Sequence, residues 1–233
     1  MLKAVIFDVD GTLAETEEVH REAFNTVFEQ AGLGWYWSSE EYRELLKVFG
    51  GKERIRHFVK TESIDGINDK DILELHRLKT SLYAELLPRT AELRPGVVRL
   101  VEECLSRSVR LAIATTTTES NVDALNRAVG GTLRLDAFDV VVGGNTVPQK
   151  KPDPMVYQTT LKRLGLEPTE AIAIEDASAG VDAARGAGLR CLVTPSFYTT
   201  AQDLSHATVI VDDLTNRGDG IPVTVDYLEM LTD

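Results

Sequence analysis

Cysteine is almost absent from this 233-residue chain, with only Cys104 and Cys191 present. Two residues so far apart cannot build a disulfide framework or a zinc cluster, and two reduced thiols in a cytosolic setting are expected. Long apolar runs are also missing. The N-terminal one meets an aspartate at position 8, too early for a signal-peptide core or a spanning helix, so a soluble cytoplasmic protein without a membrane partner is expected. Positive charge is scarce: 25 lysines and arginines face 37 acidic residues, a formal charge of −12. That balance opposes broad attraction to nucleic acid or anionic lipid. No internal repeat or low-complexity segment breaks the chain. What remains is a composition with 43% hydrophobic residues, enough for one large domain or a domain carrying an insertion.

Short apolar runs recur at 4–7 (AVIF), 111–114 (LAIA), 140–142 (VVV), 171–174 (AIAI), 191–193 (CLV) and 208–211 (TVIV). Each reads as a buried strand. Amphipathic stretches of helical length lie between most of them, at 97–105, 120–129, 155–164 and 177–187. Such alternation predicts an α/β fold, a Rossmann-like, doubly wound parallel sheet covered by helices on both faces. Residues 15–90 depart from it. No comparable strand run appears there, and the periodicity is helical: Val19, Ala23, Val27 and Ala31 form one stripe, and Leu75, Leu78, Leu82 and Leu86 another. His76, Lys79 and Tyr83 would share a face apart from those leucines. The expected organisation is therefore a core of 1–14 and 91–233 with a small all-helical insertion at 15–90, closed by the punctuation of Leu93-Arg94-Pro95-Gly96.

Four segments carry chemistry. Asp8-Val9-Asp10-Gly11-Thr12 follows the first strand, where a parallel sheet opens onto its ligand crevice. Asp8 and Asp10 can both approach one metal and one phosphate if the backbone turns sharply, and Gly11 permits that turn. An EF-hand loop counted from Asp8 would need Gly at 13 and Glu at 19, where Leu13 and Val19 stand, so that alternative fails. Glu175-Asp176 follows another buried strand. Alone it reads as a helix cap, but beside Asp8 and Asp10 it completes an oxygen-donor set suited to Mg2+. Thr115-Thr116-Thr117-Thr118 offers hydroxyls and N–H groups to a phosphate at a helix start, Thr118 being the ordinary cap. In Lys151-Pro152-Asp153-Pro154 the lysine can neutralise phosphate charge, with Lys150 beside it expected to be solvated.

These four motifs, in this order, resemble those of the haloacid dehalogenase-like hydrolases, and the helical insertion resembles that superfamily's small cap. Glu15-Thr16-Glu17, His20-Arg21, Ala23-Phe24-Asn25 and Gly50-Gly51-Lys52-Glu53-Arg54 are similar to the CbbY-type sugar phosphatases, a likeness that covers essentially the whole chain. The resemblance implies that Asp8 attacks phosphorus and forms an aspartyl phosphate, with Asp10 as general acid and base. It implies Mg2+ held by Asp8, the Asp10 carbonyl and Asp176, with Glu175 nearby, and the phosphoryl group held by Thr115, Thr116, Thr117 and Lys151.

In the cap, local positive charge stands out against the acidic whole. Lys52 and Arg54 flank the Gly50-Gly51 turn, and His76 and Lys79 share a helix face, so a second phosphate is expected there. That expectation points to a sugar bisphosphate, and the CbbY-type resemblance to xylulose 1,5-bisphosphate, an inhibitor of ribulose bisphosphate carboxylase in the Calvin cycle. Glu17 and His20, one helical turn apart, are candidates for sugar hydroxyls. A β-phosphoglucomutase-type phosphomutase shares these motifs, and a noncatalytic metal-binding or regulatory protein on the same fold is the alternative from another class. No protein partner is implied, and a monomer is expected.

Overall fold

The computed structural model describes residues 1–232. The chain forms two compact units, one from Met1–Glu15 with Ala91–Asp233 and the other from Thr16–Thr90.

The inserted unit is built from helices α1 (Glu17–Gln30), α2 (Ser39–Leu45), α3 (Gly51–Thr61) and α4 (Asp69–Leu86). Local signals set their starts. Ser38 with Glu41, and Asn68 with Asp71, form capping boxes at the beginnings of α2 and α4, each satisfying N–H groups that a helix end leaves open. Aromatic rings fill the interior: Phe24 and Phe28 each approach Trp37 with ring centroids 4.8 Å apart, and Tyr42 is fully buried beside them. On α1 the buried stripe includes Val19, Ala23 and Val27, whereas Ala31 caps the helix and is exposed.

On α4 the expected leucine stripe is corrected. The buried residues are Ile72, Leu75, Lys79 and Tyr83, and Leu78 is 38% exposed. Both sets repeat with helical spacing, so periodicity alone does not separate them. The difference lies in specific contacts: Tyr83 stacks on His20 at 4.0 Å, and the Lys79 ammonium lies 4.6 Å from the Phe24 ring centre and 2.5 Å from His20 Nδ1. A satisfied polar pair with aromatic neighbours thus occupies the inner face.

The other unit holds a six-stranded, all-parallel sheet of β1 (Ala4–Phe7), β2 (Arg110–Ala114), β3 (Val140–Val142), β4 (Ala171–Glu175), β5 (Arg190–Val193) and β6 (Val209–Ile210). Their spatial order is β3-β2-β1-β4-β5-β6. Helices α5 (Val97–Ser106), α6 (Glu119–Ala128), α7 (Met155–Leu164), α8 (Ser178–Gly186) and α9 (Val225–Thr232) complete the unit. Alternate strand residues Ala4, Ile6, Ala112, Ala114, Ala171 and Ala173 form one core with α7 and α8. The intervening Val5, Phe7, Leu111, Ile113, Ile172 and Ile174 are equally buried on the opposite face. Covering both faces is what makes these strands apolar throughout rather than alternating. Strand order reverses between β1 and β4, which places a crevice at their carboxyl ends. No helix among the described residues is long and apolar enough to cross a membrane.

Trp35 and Trp37 both belong to the helical unit, so tryptophan fluorescence reports on it. In urea unfolding followed by that signal, Leu75→Ala is expected to cost about 2–5 kcal/mol and Leu78→Ala less than ~0.5 kcal/mol. Equal losses would contradict the corrected face.

Candidate active site

Register brings the chemistry together. Phe7 pairs with Ile113 on one side and Ile174 on the other, so the next residue, Asp8, comes level with Ala114 and Glu175. Lys151 reaches in between them. Its ammonium donates to Asp8 Oδ1 at 2.6 Å, to Glu175 Oε1 at 2.6 Å and to the Ala114 carbonyl at 2.8 Å. All three side chains are buried. Burial raises the Asp8 carboxyl to about 7; the Lys151 charge pulls it down, while Glu175 and Asp10 push it further up. Burial alone would lower Lys151, but Asp8 and Glu175 outweigh it and hold the ammonium above its ordinary value.

Glu175 is itself tightly placed. Tyr157 of α7 donates its hydroxyl to Glu175 Oε1 at 2.5 Å, and burial followed by the Glu175 charge keeps that phenol protonated, well above its usual range. Gly180 makes room for the carboxylate: a Cβ there would lie 2.0 Å from the Glu175 carboxyl carbon. Asp8, Glu175 and Asp176 each offer an oxygen within 4.8 Å of the others. Asp176 Oδ2 accepts from Ser196 Oγ at 2.7 Å and Thr199 Oγ1 at 3.2 Å. Gly11, at φ 80°, could not carry a side chain, since its Cβ would fall 2.2 Å from Asp176 Oδ2.

The threonine run starts where β2 ends. Thr115 is buried, and its Oγ1 accepts from Thr117 N at 3.2 Å. Asn121 Nδ2 donates to Thr117 Oγ1 at 2.9 Å. Thr116 packs against Gly144, where a Cβ would meet the Thr116 carbonyl at 2.0 Å. Thr118 is the N-cap of α6, accepting from Asn121 N, as expected. Lys150 requires a correction: it is not simply solvated, because its ammonium donates to the carbonyls of Gly144 and Val147.

Sequence reasoning missed Tyr157, Ser196, Thr199 and Arg94 as parts of this site. Arg94 donates to the carbonyls of Gly11, Thr194 and Pro195, joining the loop after β1 to the loop after β5. The hydroxyl-rich Thr194-Pro195-Ser196-Phe197-Tyr198-Thr199-Thr200 at a strand end was the available signal for two of them. Nothing in the local pattern marks Tyr157. The cysteines are inert by contrast: burial raises the Cys104 thiol to about 12 and Cys191 well above its ordinary value, leaving no thiolate.

The basic residues of the helical unit also gather. Arg54 donates from Nε to the Leu45 carbonyl at 3.1 Å and from Nη1 to Tyr42 Oη at 2.8 Å, and Tyr42 donates to Glu17 Oε2 at 2.9 Å. Arg54 is buried, yet among the described residues neither it nor Lys52 makes an ion pair with a carboxylate. Gly50 precedes α3 at φ 92° with no side-chain cap, and the Glu53 carboxylate folds against it, Oε2 lying 2.1 Å from where a Cβ would stand. The His76 ring packs on Gly51, where a Cβ would come within 2.7 Å. His76 is held neutral: burial lowers it from 6.5 to about 3, and the charges of Lys79, Lys52, His20 and Arg54 add to the effect. It therefore adds no positive charge to the cluster at neutral pH.

The haloacid dehalogenase-like hydrolase family matches residues 5–194. The chain belongs to the haloacid dehalogenase-like hydrolases. Protein CbbY of Rhodobacter capsulatus is 50% identical over 215 residues, spanning 91% of this chain and 94% of that one. Protein CbbY of Cereibacter sphaeroides is 45% identical over 219 residues, spanning 94% and 95%. The crystal structure of an Asp-to-Asn mutant of CbbY from Rhodobacter sphaeroides, in complex with xylulose 1,5-bisphosphate, superposes with a TM-score of 0.85 at 44% identity, covering 91% of this chain and 95% of that one. Within the haloacid dehalogenase-like hydrolases the chain is an enzyme of the phosphatase kind, similar to CbbY proteins along most of its length.

The lowered His76 value sets a pH dependence. Between 6.5 and about 3 the unfolded chain binds a proton at His76 that the folded one refuses, so stability is lost as pH falls through this window. His76→Gln is expected to flatten that decline in urea unfolding measured across the same range. Parallel curves for the two proteins would contradict it.

Proposed function

We propose that this enzyme is a Mg2+-dependent phosphatase that hydrolyses one phosphomonoester of a small sugar bisphosphate, xylulose 1,5-bisphosphate, through an aspartyl phosphate on Asp8. The observation that carries the reading is the Lys151 ammonium held 2.6 Å from both Asp8 and Glu175, with Asp176 close by at the same strand ends. The donor set fits the ion. Three buried carboxylates within reach of one another form a hard, oxygen-only site beside a single lysine, and Mg2+ prefers such ligands. Asp8, the Asp10 carbonyl and Asp176 would hold it, while Glu175, engaged by Lys151 and Tyr157, orients the lysine. When bound, Mg2+ supplies positive charge that keeps Asp8 ionised and offsets the phosphate's negative charge.

The residues then divide the reaction. An Asp8 carboxylate oxygen bonds to phosphorus as the bond from phosphorus to the sugar oxygen breaks, and Asp10 gives its proton to that oxygen. Water next attacks phosphorus and passes a proton to Asp10, which frees inorganic phosphate and restores Asp8. Thr115, the backbone at Thr116, Thr117 and Lys151 hold the three phosphoryl oxygens through transfer. In the helical unit, Lys52, Arg54, Lys79 and the N–H groups after Gly50 and Gly51 take the second phosphate, supported by the buried Arg54, which among the described residues has no carboxylate partner; a buried cation without one favours an anionic ligand. Glu17, His20 and the neutral His76 would meet sugar hydroxyls. Two inert buried thiols suit a cytosolic setting.

Incubated with Mg2+ and xylulose 1,5-bisphosphate, the enzyme is expected to release inorganic phosphate. Chelation should stop turnover, and Lys151→Ala should lower kcat by about 10²–10³. Transfer to an isomeric sugar phosphate without phosphate release would assign a phosphomutase instead. Lys52→Ala and Arg54→Ala are expected to reduce kcat/KM on the bisphosphate by roughly 10–100-fold, from charged hydrogen bonds worth ~1.5–3 kcal/mol, and to spare p-nitrophenyl phosphate. Equal losses on both substrates would sink the second-phosphate assignment.

A further inference from the structure

We infer that Ser196 and Thr199 are metal-positioning residues, acting through Asp176 on the loop that follows β5; this rests on the Mg2+ site proposed above. Both hydroxyls converge on one oxygen, Asp176 Oδ2, at 2.7 and 3.2 Å, and lie 3.0 Å from each other. All three side chains are buried. The loop that carries the hydroxyls is rigidly tied. Ser196 N donates to Thr199 Oγ1 at 2.8 Å, Thr199 N to the Ser196 carbonyl at 3.0 Å, and Thr194 N to the Glu175 carbonyl at 2.8 Å. Arg94 then grips the Thr194 and Pro195 carbonyls and reaches the Gly11 carbonyl. On the far side, Gly11 brings its backbone so close that a Cβ would lie 3.0 Å from Ser196 Oγ.

A lone aspartate can rotate its carboxylate, and each rotamer presents the oxygens differently. Two hydroxyl donors on the same oxygen remove that freedom and set the carboxylate plane before an ion arrives. Hydrogen bonds of this kind behind a metal ligand commonly contribute about 10–100-fold in metal affinity. None of the four motifs contains these hydroxyls, so they extend the site beyond the aspartates and the lysine.

The test is Mn2+ binding to the full-length enzyme, read as free Mn2+ by electron paramagnetic resonance, with Mg2+ as competitor. Ser196→Ala with Thr199→Val is expected to weaken both ions by about 10–100-fold, Ser196→Ala alone by less, and Ser196→Thr, which keeps the hydroxyl, to bind like the unaltered enzyme. Should the double variant not fold, Ser196→Ala against Ser196→Thr decides the matter. A merely structural role would lower the thermal midpoint of the metal-free protein and leave ion affinity unchanged, which would overturn the inference while the Mg2+ reading stands. Failure of the unaltered enzyme to bind either ion would overturn both.

Discussion

The ammonium of Lys151, shared between Asp8 and Glu175 at 2.6 Å from each, is the contact on which the rest of the catalytic unit depends. A buried charge is tolerated only when paired and hydrogen-bonded. Here one cation offsets two buried carboxylates, and a third, Asp176, lies within reach. The imbalance appears in the Asp8 carboxyl, which burial raises to about 7. A divalent cation would relieve it by favouring the ionised form, which is the form the proposed attack on phosphorus requires. Much of the surrounding structure serves this geometry: Tyr157 and Gly180 place Glu175, and Ser196 and Thr199 place Asp176.

The helical unit meets a different constraint. Its interior is aromatic, and two of its cations sit against rings: Arg54 lies 5.0 Å from the centre of the Tyr42 ring and Lys79 4.6 Å from that of Phe24. Ring faces steady a cation without cancelling its charge. Such a cluster would suit the second phosphate proposed above, in a chain whose overall charge is −12. Burial first, and then the positive charges of Lys79, Lys52, His20 and Arg54, keep His76 neutral in the same crowded interior.

The fold was readable because its signals are local. Every strand announced itself as an apolar run, although β6 proved half-exposed rather than buried, Ile210 being 50% exposed, and Asp8, Thr115 and Asp176 stood out as candidates because each sits just past such a run. Lys151 was legible through the resemblance its motif completes. What escaped depended on distance along the chain. Arg94 reaches Thr194 across 100 residues, and Tyr157 meets Glu175 only because the sheet register and the packing of α7 bring them together. On α4, Leu78, Leu82 and Leu86 share the period of the residues that are buried, and hydrophobicity favoured the wrong set. The stacked His20–Tyr83 pair and the inward Lys79 reversed that choice, and no spacing rule anticipates them. Lys150, adjacent to a catalytic candidate, looked like an ordinary surface lysine until the carbonyls of Gly144 and Val147 gave it a place.

The central claim is that Asp8 becomes phosphorylated. Rapid acid quenching of the enzyme during turnover of xylulose 1,5-bisphosphate with Mg2+, followed by proteolysis and mass spectrometry, measures this directly. A phosphoryl group on the peptide that contains Asp8, carried by the Asp8 side chain and absent from the Asp8→Asn protein, is the expected result. Turnover with no phosphorylated enzyme at any quench time, or with the group on another residue, would contradict it.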